Sequence, residues 1–256
     1  MSGTLGAGTV IRITEGLALI LGEISDTKPH SHHAVQVSIA LEGEFLLEHG
    51  SGERAARLAI IDSDHRHRLS GPGIRQATLL MEPESSLGHA VKDWLAGRAF
   101  FAAGRGAEET AEILRRSAQA GRPLAGAALE ALSALGVPPC AHGPADPRVL
   151  ESLEILKSAR GKKTKIAMLA AKVGLSESRL QHLFKEGIGI SIKSFLLWKR
   201  LLDAVQRMSE RKDFTFSALE AGFFDSAHLS RTFKAMFGMR PLDVFKESRS
   251  VQVIRE

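Results

Sequence analysis

Apolar positions along the chain change their period twice. Up to residue 83 they fall in short runs rich in branched residues, "TVIRIT", "LALILGEI", "AVQVSIAL", "EFLLEH", "AARLAIID" and "RQATLLM", punctuated by Gly, Asp, Ser and Pro. Such runs predict the strands of a β-sandwich or barrel. From 85 to 137 the pattern turns helical, with "GHAVKDWLAGRAFFAAG", "AEETAEILRRSAQA" and "LAGAALEALSAL" separated by Gly or Pro. Trp94, Phe100 and Phe101 are too apolar for an isolated solvated helix, so this region packs on the strands, offers a dimerisation surface, or does both. "GVPPCAHGPADP" follows as a Pro- and Gly-rich linker.

The remainder contains a repeat. "LAAKVGLSESRLQHLFKEGIG" (169–189) and "SALEAGFFDSAHLSRTFKAMFGMRP" (217–241) align Ala170 with Ala218, Gly174 with Gly222, Leu180 with Leu229, Phe184 with Phe233 and Gly189 with Gly238. The offset is 48 residues before the turn and 49 after it, so the extra residue lies in the connection. Each copy reads as a helix-turn-helix unit, about 166–187 and 214–237. The small Ala lets two helices approach, the Gly suits a left-handed helix end, and Ser176 and Asp225 are N-cap candidates. Leu180, Leu183 and Phe184 form an apolar stripe that leaves Ser178, Gln181, His182 and Lys185 outward; Leu229, Phe233 and Phe237 leave Ala227, Ser230, Arg231 and Lys234 outward. A single such helix is often just an amphipathic face in water, whereas two matched copies point to double-stranded DNA. Between them, Ile192 to Met208 predicts a helix roughly 25 Å long, which sets the two reading helices about one DNA turn apart.

These motifs carry a family resemblance. The segment from Asp146 to Phe245 resembles the DNA-binding domain of the AraC/XylS transcription regulators, chiefly through "GLSESRLQHLFKEGIGIS" and "GFFDSAHLSRTFKAMFGMRP". "DPRVLESLEIL" looks like the opening helix of that domain and "KRLLDAVQRM" like its linking helix. The resemblance implies base contacts from Ser178, Gln181 and His182 in the first unit and from Ser226, Ala227, Ser230 and Arg231 in the second. Geometry ranks Gln181, for adenine, and Arg231, for guanine, first; Lys185 and Lys234 suit phosphates. The implied partners are DNA, RNA polymerase and a second copy of the chain. Ser217 departs from the pattern, standing where the family has a large aliphatic residue, which predicts a less firmly packed support helix. The first reading helix also lacks an arginine on the face assigned as outward.

Charge follows the same division. Residues 146–256 hold 21 Lys and Arg against 13 Asp and Glu, whereas the first 145 hold 13 against 16, so the phosphate-attracting field belongs to the segment with the repeat. No apolar run is long enough for a membrane span, and "MSGTLGAGTVIRITEGL" has no basic start followed by an apolar core, which predicts a cytoplasmic protein. The single cysteine, Cys140, excludes an internal disulfide framework; it sits in the linker without the basic neighbours that activate a thiol.

The β-rich segment has its own chemistry. "GEISDTKPHSHHAVQVSIALEG" resembles the first cupin motif, with His30, His32, Gln36 and Gly43 in the matching places, and "IDSDHRHRL" resembles the second, with His67 favoured over His65. Strand parity puts His30, His32, Gln36, Ser38 and Ala40 on one side and Val35, Val37, Ile39 and Leu41 on the other. The polar side would then be the cavity of a cupin-like barrel and, with His67, an effector pocket. Three readings of it stand: His30, His32 and His67 hold a divalent metal, Zn(II), Fe(II) or Mn(II); the pocket takes an organic effector without metal, no cofactor being required; or it is vestigial. Gln36 argues against the metal, since a neutral amide replaces a carboxylate that would also serve acid–base chemistry.

The sequence thus predicts an α+β multidomain chain: a cupin-like sensor domain at 1–83, a helical connector at 84–137, a linker at 138–145, and an all-α double helix-turn-helix domain at 146–256. The function predicted is a non-enzymatic regulator that senses a small molecule. Its rivals are a metal-dependent cupin enzyme with a DNA-binding appendage and a constitutive regulator without effector.

Overall fold

The structure, a computed structural model, describes residues 10–23, 27–50, 52–71, 73–103, 106–139, 146–158, 164–211, 213–238, 240–241 and 252–255. Cys140 and most of the expected linker lie outside these residues, as does the segment 1–9. Two compact units result: Met1–Ala141 with Phe233–Glu256, and His142–Thr232.

In the first unit the short branched runs form β1 (Val10–Thr14), β2 (Leu17–Glu23), β3 (Val35–Ala40), β4 (Phe45–His49), β5 (Gly52–Ala56), β6 (Leu58–Ile61), β7 (His67–Ser70) and β8 (Arg75–Met81). Two further strands, β9 (Phe100–Ala103) and β10 (Gln252–Arg255), join them. The described strands pair as two sheets rather than one closed barrel: β10-β1-β2-β8-β3-β6-β9 and β5-β4-β7. Helices α1 (Ser86–Leu95), α2 (Ala107–Ala120) and α3 (Leu124–Ala134) supply the rest.

Both parities of β3 are buried, for different reasons. Val35, Val37 and Ile39 share one apolar cluster with Ala90, Val91 and Leu95 of α1, Leu114 of α2 and Leu124, Ala128 and Leu132 of α3. Burying each such Val, Leu or Ile side chain stabilises by about 1.5–3 kcal/mol, so the helices serve as the outer cover of the sheet. A buried cation reinforces that cover: Arg12 of β1 donates to the carbonyl and hydroxyl of Ser117 at 2.8 and 2.9 Å and to the Arg122 carbonyl. The other parity of β3 carries Gln36, Ser38 and Ala40 into the space that the second sheet closes. Ala40 packs there with Phe45, Leu47, Ala59, Ile61 and Leu69.

The helical pattern expected over 85–137 fails at one place. Phe100–Ala103 is a strand, paired antiparallel with β6 from Leu58↔Ala103 to Ile61↔Phe100. A left-handed Ala96 ends α1 just before it, and pairing along the sheet edge overrides the helix preference of an Ala-rich segment. At the other end of the chain, residues 252–255 expected in the helical domain pair in parallel with β1 instead.

The second unit contains α4 (Pro147–Ser158), α5 (Ile166–Lys172), α6 (Glu177–Ile188), α7 (Ile192–Arg211), α8 (Phe214–Glu220) and the start of α9 (Ser226–Phe237). Val149 and Leu153 of α4, Leu169 and Ala170 of α5, and Leu180 and Phe184 of α6 share a core with Phe195 of α7. Trp198, Leu201 and Ala204 continue the buried stripe of α7, and Ala218, Phe223 and Leu229 are buried in the second copy. Twenty residues at 1.5 Å each make α7 about 30 Å long. Among the described residues no helix is long and apolar enough to cross a membrane.

Candidate nucleic-acid interface and histidine pocket

The two helix-turn-helix copies close their turns with the same hydrogen bonds. Leu175 N–H donates to the Ala170 carbonyl at 2.9 Å and Gly174 N–H to Ala171 at 3.3 Å; Phe223 donates to Ala218 at 2.9 Å and Gly222 to Leu219 at 3.0 Å. This is a Schellman end, which requires the left-handed backbone that Gly174 (φ 66°) and Gly222 (φ 83°) provide. The copies then diverge by one residue, Phe224, which is 85% exposed. Beyond it both reading helices are capped as expected: the Ser176 hydroxyl accepts from Arg179 N–H at 3.3 Å, and the Asp225 carboxylate accepts from His228 N–H.

Capping and the buried stripe fix which faces look outward. Ser178, Gln181, His182 and Lys185 of α6 are exposed, as are Ala227, Arg231 and Lys234 of α9, while Ser226 and Ser230 are half-buried. His182 lies 3.8 Å from Glu186, one turn on. Two expectations need correction. Arg179 is exposed on α6, at helical spacing from His182, so the first helix does present an arginine to solvent. Ser217 is fully buried, and its hydroxyl donates to the Asp213 carbonyl at 2.7 Å, so the support helix is not left short of partners. That helix is also capped, by Asp213 accepting from Phe216 N–H at 2.8 Å.

In the first unit the predicted pocket residues form one buried polar cluster. His30, His32 and Gln36 are 4–5% exposed, His67 2%, and Ser38 not at all. A two-way backbone bridge of 2.9 Å in each direction holds His30 beside His67, with ring centroids 4.3 Å apart. His32 lies 5.7 Å from the first ring and 5.2 Å from the second. Each ring places Nδ1 against a backbone carbonyl: His30 on Lys28 at 2.8 Å, His32 on Ala34 at 2.9 Å and His67 on His65 at 2.9 Å. His32 Nε2 also meets the Gln36 side-chain amide at 2.8 Å, whose nitrogen donates to Ser38 Oγ at 2.9 Å. Ser38 in turn shares a hydrogen bond of 3.1 Å with Thr78. His65, the competitor from the sequence, is exposed.

Burial decides the protonation state of the rings. Desolvation, followed by the mutual repulsion of neighbouring imidazoliums, pushes His30 down to about 4 and His67 to about 2, and burial also lowers His32. The cluster is therefore neutral near pH 7. Among the described residues these three histidines are the set whose ligand atoms converge, all within 4.8 Å of one another; no carboxylate joins them. Sequence reasoning missed Thr78, which the β3–β8 register sets opposite Ser38, although the alternation of Gln76 and Thr78 with Ala77 and Leu79 carries a weak signal. It also missed the neighbouring buried pair His33–Glu84, 2.9 Å apart.

Comparison with known proteins bears on both regions. A helix-turn-helix domain family matches residues 169–247, which covers both copies. The arabinose operon regulatory protein of Escherichia coli (strain K12) is 34% identical over 102 residues, 39% of this chain and 35% of that protein. Through this segment the chain is similar to regulators of the AraC type. The match spans about a third of the length of the curated relatives found. Over nearly the whole chain the fold is similar to that of ToxT from Vibrio cholerae O395, with a TM-score of 0.62 at 10% identity, covering 93% of this chain and 100% of ToxT. A structure of ToxT from Vibrio cholerae strain SCE256 bound to an unsaturated fatty acid has a TM-score of 0.53 at 9% identity, with coverages of 98% and 100%. At such identity the likeness is one of fold: a β-rich N-terminal part followed by a helical helix-turn-helix domain.

Proposed function

We propose that this protein is a sequence-specific transcription regulator whose β-rich N-terminal domain (1–83) senses a small molecule and whose AraC-type domain (146–256) reads DNA with two helices. The observation that carries this reading is the repeated unit: identical Schellman turns, capped second helices, and outward polar faces on both. Gln181 and Arg231 make the principal base contacts, on adenine and guanine respectively, assisted by Ser178, His182, Ser226, Ala227 and Ser230. Lys185 and Lys234 hold phosphates. A connecting helix of about 30 Å suits two successive major grooves. The effector pocket is the cluster of His30, His32, Gln36, Ser38 and His67, with Ala40 at its apolar edge. The helices of the connector (84–137), besides covering the sheet, form the dimer contact, and the protein works in the cytoplasm, where RNA polymerase is the partner of the DNA-bound form.

An enzymatic reading finds no carboxylate converging on the histidines among the described residues. The known fatty-acid complex of ToxT is a property of that protein; it favours a ligand-binding role for this kind of N-terminal domain over catalysis. Selection of DNA from a random pool by the full chain tests the reading. Arg231→Ala is expected to cost about 1–3 kcal/mol and to relax preference at one guanine, whereas Lys234→Ala weakens all sequences alike. Loss of equal size at every sequence for Arg231→Ala would remove it from base readout, and a pool without enrichment would remove the function.

A further inference from the structure

We infer that Phe224 reads the 5-methyl group of a thymine in the major groove, so that the second helix-turn-helix unit discriminates methylated from unmethylated pyrimidines. The inference rests on reading the two copies as DNA-binding units. Among the described residues Phe224 is the most exposed large apolar side chain, at 85% against 62% for Met168, the next. It is also the one residue by which the second turn exceeds the first: Leu175 leads straight to the cap Ser176, whereas Phe223 and Phe224 both precede Asp225. Phe223 already fills the place of Leu175, since it makes the same backbone bond, to Ala218, and is 4% exposed with its ring edge-on to His228 at 5.2 Å. Phe224 is thus left over from the packing of the turn, and the Asp225 cap holds its backbone at the entry to α9.

Continuity with the reading face says what meets the ring. In helix-turn-helix proteins the start of the second helix is the part that reaches base edges in the major groove. The apolar group displayed there is the thymine 5-methyl, and Ala and Phe are among the side chains that contact it. Ala227, exposed and three residues on, extends the apolar edge, and Ser230, Arg231 and Lys234 continue the same helix in polar and basic character. A phosphate is not the partner of this end of the helix, because the Asp225 carboxylate already occupies it. The first copy has no counterpart: Ser178 stands in the place of Ala227, and nothing in the place of Phe224. At 1.5 Å per residue Arg231 lies about 10 Å beyond Phe224, about three base-pair steps, so the methyl belongs within about three pairs of the guanine assigned to Arg231.

The test uses the duplex that the full chain selects from a random pool, with each thymine replaced in turn by deoxyuridine, which lacks the methyl and pairs as before. One thymine near the guanine assigned to Arg231 is expected to lose about fourfold in affinity, the worth of one buried methyl group. Phe224→Ser is expected to lose as much on the thymine duplex and nothing more on the deoxyuridine duplex, and thermal unfolding checks that the variant is folded. Cytosine at that position is expected to bind more tightly when methylated at C5, for the parent and not for Phe224→Ser. Parent affinity that no deoxyuridine changes, or a deoxyuridine loss that persists in folded Phe224→Ser, overturns the inference while the DNA-binding reading stands. So does a variant that binds the thymine duplex as the parent does, which would assign Phe224, with the exposed Leu219 of α8, to a protein partner instead. A pool without enrichment overturns the DNA-binding reading itself, and this inference with it.

Discussion

The histidine cluster and the helix faces proposed to read DNA are made from the same residue types, Gln, His and Ser, set in opposite surroundings. In the pocket Gln36 is closed off from water and engaged at both ends, by His32 and Ser38. On α6, Gln181 is exposed. Polar groups in the interior must find partners within the fold, so the pocket is specified by mutual hydrogen bonding and tolerates little change. Polar groups on the reading helices are solvated until a ligand arrives; what fixes them is the buried stripe behind them. One region stores its specificity in contacts between side chains, the other in the direction a helix faces.

The same substitution made in both places gives the largest expected contrast. Gln36→Leu strands His32 Nε2 in the interior, while Ser38 keeps Thr78, and is expected to destabilise the first unit by about 1–3 kcal/mol. Gln181→Leu is expected to change stability by no more than about 0.5 kcal/mol while weakening binding to the selected DNA. Urea denaturation of the two variants measures this, and equal losses of stability would erase the distinction.

Acid acts on the pocket through stability. Burial lowers His30 to about 4 and His67 to about 2, so between the ordinary value near 6.5 and these values the unfolded chain binds protons that the folded chain refuses. The stability contributed by keeping the rings neutral is fully present above about pH 6.5 and is lost as pH falls toward the folded values. In chelator, the melting temperature of the first unit is expected to fall steadily from pH 7 to pH 4.5, and His30→Asn combined with His67→Asn to flatten that slope. An unchanged slope in the double variant would assign the effect to other groups.

Smaller effects separate the two reading helices. Asp225→Ala is expected to cost about 1 kcal/mol, the usual worth of an N-cap, and Ser176→Ala somewhat less because its bond is 3.3 Å long. Thermal unfolding of the isolated substitutions ranks them, and the reverse order would show that the longer bond is the stronger cap. Smallest of all, Phe224→Ser should leave stability within about 0.5 kcal/mol, since the side chain is 85% exposed. A drop beyond 1 kcal/mol would mean that the inserted turn residue supports the fold.

Legibility followed the range of the interactions. The helix-turn-helix units could be read because their determinants are local: the stripe 180–183–184, a glycine at each left-handed end, and a cap two or three residues later. Arg179 stands at the flank of the outward face, one turn before His182, where periodicity alone does not separate an exposed position from a half-buried one. In the β-rich unit, parity correctly grouped Gln36 with Ser38, but parity cannot separate His65 from His67, two residues apart. That choice is made where β7 begins and by its bridge to His30. Thr78 and the strand at 100–103 depend on partners about 40 residues away, Ser38 and β6, and no local pattern names a partner at that distance.

The sequence by itself determined the helical repeat, its caps and turns, the outward polar faces and the strand-rich start of the chain, because each depends on residues within one or two turns or on one strand's alternation. Only the tertiary structure decided that the strands form two sheets, that the connector helices cover one of them, and that His67 meets His30 and His32 from a separate segment, with all three Nδ1 atoms held by backbone carbonyls. Pairing register and burial are properties of several segments at once, and they fix which polar groups leave water together.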